Sequence, residues 1–245
     1  METTEDSSLP FTFSSTEIAQ KRILTVSAIA LDFDYTTSDP SKSRADEIKV
    51  LVIKNKKPSK KSKEGKPGGR GLPTGQVDQN EDIKSALARE VWQESGYKVK
   101  KFVGELFVVN KLLRIEEEVV PNDIHIFLVE IHDLGGKVTE TDEIDASIDP
   151  WTSLREIFEM PLAQNREGGN KNPDGIYYSH RKRLYQAIES MVFEPEDFID
   201  GEAVAKWMTD DKRRYLKEAM AELQRAGLLN DYLPKDEDAT EELTA

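Results

Sequence analysis

The chain has 245 residues and a formal net charge of −13, with 37% hydrophobic and 33% charged residues. This composition suffices for one well-packed domain with polar extensions, or for two small domains. The chain has no cysteine, which excludes disulfides, thiolate metal sites and a cysteine nucleophile. Its charge argues against nucleic acid as a partner, whose phosphates would be repelled, although a small anionic substrate could bind beside a cation.

Residues 1–20 are predicted to form a flexible N-terminal tail. Acidic side chains near the start lead into a Ser/Thr-rich stretch, a pattern that does not indicate a secretory signal. No segment approaches the ~20 consecutive apolar residues that span a bilayer. We therefore expect a cytoplasmic protein without a membrane partner.

The next region combines two apolar runs with a basic loop. The β-branched runs 23–33 and 48–53 predict buried strands, joined by a loop over 35–46. Residues 54–70 are basic and glycine-rich and predict an exposed flexible loop. This loop is either a solvated insertion or an attractor of substrate phosphates, and Arg70 is then its best candidate for touching substrate.

Residues 81–94 are predicted to form an amphipathic helix. Ile83, Leu87 and Val91 fall on one apolar stripe that can pack on a sheet. Asn80 is the predicted N-cap and Gly96 the predicted C-cap. A tight loop over residues 73–75 precedes this helix.

One face of this helix carries Glu90, Gln93 and Glu94 at positions i, i+3 and i+4. Two carboxylates at that spacing repel each other by a few tenths of a kcal/mol, and a hard divalent cation such as Mg²⁺ would reverse the repulsion. A bound ion could bridge phosphate oxygens and activate water. Arg89 could pair with Glu81 or hold Glu90 in place. The alternative interpretation is an ordinary solvated helix face.

Beyond the helix, the pattern predicts three strands, an acidic loop and two helices. The strands and helices are residues 99–109, 116–120, 124–131, 151–158 and 179–191. The acidic loop, residues 137–148, contains Glu140 and Glu143. Strands alternating with helices in this order indicate an α/β sandwich with a mixed β-sheet.

Residues 194–245 are predicted to form an acidic helical extension and tail. Amphipathic patterns at 203–207 and 214–226 predict two helices within it. The extension could form a small winged-helix-like module, pack on the preceding domain, or pair two subunits into a homodimer. Its low content of basic residues argues against specific DNA binding.

Residues 75–97, here called the box, resemble the Nudix signature. That signature runs Gly, five residues, Glu, seven residues, Arg-Glu-aliphatic, one residue, Glu-Glu, one residue, Gly, aliphatic. The corresponding residues of this chain are Gly75, Glu81, Arg89, Glu90, Val91, Gln93, Glu94, Gly96 and Tyr97. Gln93 replaces the first glutamate of the Glu-Glu pair, and Tyr97 replaces the final aliphatic residue.

The resemblance implies a Nudix-type α/β/α sandwich over residues 21–193, followed by the helical extension. It also implies a hydrolase that uses Mg²⁺ or Mn²⁺ to assist the attack of water on the diphosphate linkage of a nucleoside diphosphate derivative. The implied metal ligands are Glu90 and Glu94, with Gln93 able to coordinate through its amide oxygen.

The resemblance leaves the general base open between the box and the later acidic loop. Glu90 is the better candidate within the box, and Glu143 is preferred over Glu140 in the loop. Because Gln93 brings no charge, the alternative is a catalytically weakened Nudix-fold protein that binds nucleotides or regulates. A scaffold without a ligand is a third possibility.

Overall fold

The computed structural model describes residues 22–35, 42–56, 68–115, 118–132, 136–139, 143–163 and 172–232. The predictions for the N-terminal tail, for residues 57–67 of the basic loop, for Glu140 and for residues 233–245 lie outside these ranges. Among the described helices, none is long and apolar enough to cross a membrane.

The fold is built on a mixed sheet. Its strands are β1 (Ile23–Phe33), β2 (Ile48–Leu51), β5 (Thr74–Gln76), β6 (Val99–Ile115), β7 (Glu118–Ile131) and β8 (Trp151–Ser153), while β3 (Ile53–Lys54) pairs separately with β4 (Arg70–Gly71). The order is β6-β7-β1-β2-β8, with β5 also on β1. β1 runs parallel to β7, and the remaining pairs are antiparallel.

Helices cover both faces of this sheet. They are α1 (Arg44–Glu47), α2 (Ile83–Ser95), α3 (Leu154–Glu159), α4 (Tyr178–Phe193), α5 (Gly201–Trp207) and α6 (Asp210–Arg225). Val26 and Ala28 of β1 pack with Leu87 and Val91 of α2. Ile29 points the other way and packs in the cluster that contains α4, α5 and α6. The predicted α/β/α sandwich with a mixed sheet and C-terminal helices is therefore confirmed.

The box helix begins later than predicted. It starts at Ile83, and the carboxylate of Asp82 accepts hydrogen bonds from the backbone amides of Lys84 and Ser85 at 3.0 and 3.1 Å. The prediction that Asn80 is the N-cap was wrong, since Asn80 lies in a turn with a φ of 67°. Gly96 is the C-cap, as predicted, with a left-handed φ of 75°.

Other element boundaries differ because pairing partners are distant in sequence. The strands predicted at 99–109 and 124–131, with residues 118–120 of the one predicted at 116–120, belong to the long antiparallel pair β6–β7, while residues 116 and 117 lie outside the described ranges. Residues 151–153 are a strand rather than helix because they pair with β2, and Ser153 then caps α3 in a capping box with Glu156. The predicted loop at 35–46 contains the short helix α1.

The C-terminal helices share the core of the preceding sandwich. Leu216 and Leu223 of α6 are fully buried in the same cluster as Leu184 of α4. At the edge of this contact, Nε of Arg44 donates to a carboxylate oxygen of Glu218 at 2.9 Å. The described part of the extension therefore packs on the domain.

Candidate active site

Two buried carboxylates of α2 meet the same short strand, β5. Thr74 donates its backbone amide to Oε2 of Glu94 at 2.8 Å. At the next residue, a Cβ added to Gly75 would lie only 1.8 to 2.2 Å from the carboxylate atoms of Glu90. Glu90 and Glu94 are 7% and 8% exposed. The predicted pair thus lies side by side against residues 74 and 75, so the interpretation as a solvated helix face was wrong.

Arg89 hydrogen-bonds to Glu90 of this pair and to two neighbouring groups. Its guanidinium donates to both carboxylate oxygens of Glu81 at 2.9 and 2.8 Å, to Oε1 of Glu90 at 2.6 Å, and to the carbonyl of Gln76 at 2.9 Å. The hydrogen bond from Arg89 lowers the pKa of the Glu81 carboxyl, and hydrogen bonding to Glu81 in turn raises the pKa of Arg89. Both contacts predicted for Arg89 are therefore present.

Gln93 and Glu90 both accept hydrogen bonds from Arg89. Its Oε1 accepts a hydrogen bond from Nη1 of Arg89 at 3.1 Å, and this same nitrogen donates to Glu90. Gln93, the residue that departs from the Nudix signature, therefore contacts Arg89, the arginine that also binds Glu90. A carboxylate at position 93 would add negative charge at this point.

A cleft of about 410 Å³ opens beside the C-terminal end of α2. Its wall includes Glu94, two lysines (Lys54 and Lys137) and Asp145. The later loop is tied to the helix end, since the amide of Thr139 donates to the carbonyl of Gln93 at 3.2 Å. The wall of the cleft therefore carries two basic and two acidic side chains, and Lys54 is paired with Asp174.

The acidic loop brings a different residue to this cleft from the one preferred in sequence. Glu143 is exposed, and its carbonyl accepts a hydrogen bond from the amide of Lys56 at 2.7 Å. Asp145, two residues later, lines the cleft with Glu94. Hydrogen bonds from Ser147 lower the pKa of the Asp145 carboxyl. Asp145 was missed because an acidic loop does not reveal which of its side chains faces inward.

Arg70 lies in β4 at the base of the basic loop. Its backbone amide donates to the carbonyl of Gly175 at 2.7 Å, and its carbonyl accepts from the amide of Tyr177 at 3.0 Å. Nη1 contacts Oγ1 of Thr152 at 3.5 Å, while the buried Nε has no hydrogen-bond partner within the described ranges. Arg70 does not line the cleft itself, but it pairs across β3 and β4 with Lys54, which does.

The donor atoms of the box suit a hard cation. Glu90 and Glu94 provide buried carboxylate oxygens and Gln93 an amide oxygen, the ligand types that Mg²⁺ and Mn²⁺ prefer. Across the described segments, no group of three or more His, Asp or Glu side chains is placed to hold a metal ion. The box therefore offers two carboxylates, one fewer than an intact Glu-Glu signature would bring.

A model of the NUDIX domain family matches residues 42–172. The chain is similar to a MutT NUDIX hydrolase from Burkholderia pseudomallei, with 18% identity, a TM-score of 0.42, and coverage of 68% of this chain and 98% of that one. It is also similar to the NUDIX domain of Shewanella oneidensis NrtR in complex with ADP ribose, with 16% identity, a TM-score of 0.42, and coverage of 69% and 88%. Among curated proteins, the search found no match.

Proposed function

The chain belongs to the Nudix family, and from this premise we propose that it is a Mg²⁺- or Mn²⁺-dependent hydrolase of a nucleoside diphosphate derivative. The observation that carries the proposal is the pair of buried carboxylates, Glu90 and Glu94, held side by side at Thr74 and Gly75. Arg89 compensates the charge of Glu90, so the two buried carboxylates and this one arginine still carry a net negative charge. Such a pair is stabilised by a divalent cation, whose preferred ligands are these oxygens.

The residues of the box would divide the work between holding the ion and orienting its ligands. Glu90 and Glu94 would bind the metal, with the amide oxygen of Gln93 as a neutral third donor. When bound, the ion neutralises charge on the phosphates and lowers the pKa of the attacking water. Arg89 orients Glu90 through a hydrogen bond of 2.6 Å, and the amide of Thr74 orients Glu94.

The general base stays open between two regions. Glu90 is our first candidate, since both Arg89 and the close approach of Gly75 fix its carboxylate. Glu143 is the candidate from the acidic loop, and Asp145 joins it because it lines the cleft with Glu94. A base must reach its proton within hydrogen-bond distance in the substrate complex.

The substrate class is proposed from the family rather than from the charge of the cleft, whose wall carries two basic and two acidic side chains. A cation bound beside Glu94 would offset the acidic side chains and allow an anionic molecule of nucleotide type to bind there. ADP ribose, the ligand in the complex of the NrtR domain, is a reasonable first compound to test. The cytoplasmic location, the homodimer and the substrate contact of Arg70 stay predictions.

A catalytically weakened nucleotide-binding or regulatory protein is the second candidate. Gln93 favours it, because an amide bonded to Arg89 supplies no charge to a bound cation. Weaker metal binding lowers the fraction of protein that can catalyse, while leaving the cleft able to bind a nucleotide. The two candidates therefore differ in turnover rather than in binding.

The test is hydrolysis of a panel of nucleoside diphosphate compounds with Mg²⁺, with Mn²⁺ and with a chelator. Glu94→Gln removes one charge from the pair, and Glu202→Gln, an exposed position on α5, is the matched control. We expect metal-dependent hydrolysis that falls at least about 100-fold in Glu94→Gln and is unchanged in the control. Equal activity in both variants would refute the site, and tight binding without turnover would favour the second candidate.

A further inference from the structure

A second cavity lies between β6 and α4, on the face of the sheet opposite α2. Its volume is about 740 Å³. Phe107 and Val109 of β6 form part of its floor and pack against the core cluster that contains α4. The helix that carries Glu90 and Glu94 packs against the other cluster. This cavity is therefore separate from the carboxylate pair.

Arg183 of α4 is the unusual residue of this cavity. It lines the cavity and is only 4% exposed, yet its Nε and Nη1 have no hydrogen-bond partner in the part of the chain that the structure describes. Buried guanidinium groups are normally paired, because burial removes their hydration. A buried arginine at the wall of an open cavity, with two nitrogens that lack partners in the described part of the chain, therefore indicates a missing anionic partner.

Arg181, on the same helix, is a buried arginine whose hydrogen bonds are satisfied within the protein. It is 7% exposed, similar to Arg183. Its Nε donates to the hydroxyl of Tyr232 at 2.7 Å, and its Nη1 donates to the carbonyls of Phe158 and Met160 at 3.3 and 2.8 Å. The helix thus holds one buried arginine with partners and, two residues later, one whose Nε and Nη1 have none among the residues that the structure describes.

Arg183 remains a cation at neutral pH. Burial lowers the pKa of Arg183 to about 10, which still leaves the guanidinium protonated. Two lysines, Lys111 and Lys182, line the same cavity, and Glu189 is the single acidic residue on its wall. The carboxylate of Glu189 already accepts a hydrogen bond from the hydroxyl of Tyr185 at 2.6 Å. In a chain of net charge −13, this cavity is a local positive site.

We propose that this cavity is a binding site for a phosphate group, anchored by Arg183. The planar guanidinium matches phosphate oxygens in a bidentate arrangement. Ser179 and Ser190 on the wall carry hydroxyls that can donate to the remaining oxygens. The apolar floor suits the organic part of a phosphomonoester. The site goes beyond the proposed hydrolysis and does not need a metal ion.

The test measures thermal unfolding of the full chain in a chelating buffer, with increasing inorganic phosphate and chloride of equal ionic strength as reference. Phosphate should raise the midpoint of the wild type beyond the chloride reference. In Arg183→Met the phosphate-dependent shift should disappear, and the affinity should fall at least about tenfold. Without phosphate this variant should be at least as stable as the wild type, because an unpaired buried charge is gone.

Arg181→Met is the matched control. It removes the same charge from the same helix but breaks three hydrogen bonds. It should therefore lower the unfolding midpoint and keep the phosphate-dependent shift. Arg183→Lys retains a charge and should keep a weakened response, so the test does not depend on how well the methionine variant folds.

Two results would overturn the site: a wild type that responds to phosphate no more than to chloride, or an Arg183→Met variant with the wild-type response. Adenosine monophosphate in a parallel series distinguishes the source of the phosphate. A stronger response than to inorganic phosphate indicates that the floor binds the organic part, and an equal response indicates a site for free phosphate. The same series on Glu94→Gln should match the wild type, which keeps this result independent of hydrolysis.

Discussion

Replacing Gly75 with alanine tests the geometry of the carboxylate pair most directly. The added Cβ would lie 1.8 Å from the carboxyl carbon of Glu90 and 2.0 and 2.2 Å from its oxygens. Carbon atoms in contact prefer separations of about 3.5–4.0 Å, so the Glu90 carboxylate must move by more than about 1.5 Å. Gly75 does not have a positive φ, so the change acts through this contact rather than through backbone strain.

Both the activity and the stability of Gly75→Ala are expected to fall. A displacement of about 1 Å at a catalytic group can cost about 100-fold in rate, and we expect at least that loss in Gly75→Ala. Overpacking of this kind typically costs about 1–3 kcal/mol of stability. Hydrolysis rate as a function of metal concentration, together with urea unfolding, measures both quantities on one preparation.

Gly104→Ala is the matched control for this clash. A Cβ at Gly104 would lie 2.8 Å from the Cβ of Asp200 and 3.1 Å from Cγ2 of Val204, in the contact of β6 with α5. This variant should lose stability without a change in metal dependence. If Gly75→Ala kept the wild-type rate and metal affinity, or lost no more than Gly104→Ala, the placement of Glu90 against Gly75 would be refuted.

Three further changes probe the same helix. Gln93→Glu should raise the affinity for Mn²⁺, measured by isothermal titration calorimetry, by about tenfold or more, because it adds a charged oxygen ligand. An unchanged affinity would show that position 93 does not face the ion. Asp82→Ala should lower the free energy of unfolding in urea by about 1 kcal/mol, because it removes the N-cap, whereas Asp82→Asn should keep most of it. The pKa of Glu81 is lowered by Arg89, so the ionised pair stabilises the fold above the ordinary carboxyl value of 4.5 and this contribution is lost as pH falls below it. Arg89→Met should therefore flatten the acid limb of the pH–stability curve, and an unaltered limb would contradict the assignment.

The sequence could predict the features that depend on local spacing. The i, i+4 spacing places Glu90 and Glu94 on one helix face whatever the rest of the fold does, and Gly96 ends the helix because a left-handed residue is needed there. The choice between Asn80 and Asp82 as the N-cap could not be made in this way. It depends on which residue has an extended backbone, and a turn before the helix decided that.

Long-range contacts set the features that the sequence could not indicate. Residues 151–153 have no local pattern that requires a strand, and they form one because β2 offers an edge. Asp145 reaches the cleft because its amide donates a hydrogen bond to the carbonyl of Lys54, just over ninety positions earlier. From the sequence alone, Arg183 would be expected to be an exposed charge on a helix. It is buried beside a cavity because α4 packs on β6.

Arg89 determines how the substitution at position 93 acts on the box. One nitrogen, Nη1, donates both to Glu90 and to the amide oxygen of Gln93. A glutamate at position 93 would compete with Glu90 for this hydrogen bond, whereas the neutral amide is a weaker acceptor and leaves the arginine closer to Glu90. Gln93 therefore has two opposing consequences: it reduces the negative charge available to a cation, and it strengthens the hold on the remaining ligand. The Mn²⁺ affinity of Gln93→Glu measures the first effect, and its hydrolysis rate at saturating metal measures the second.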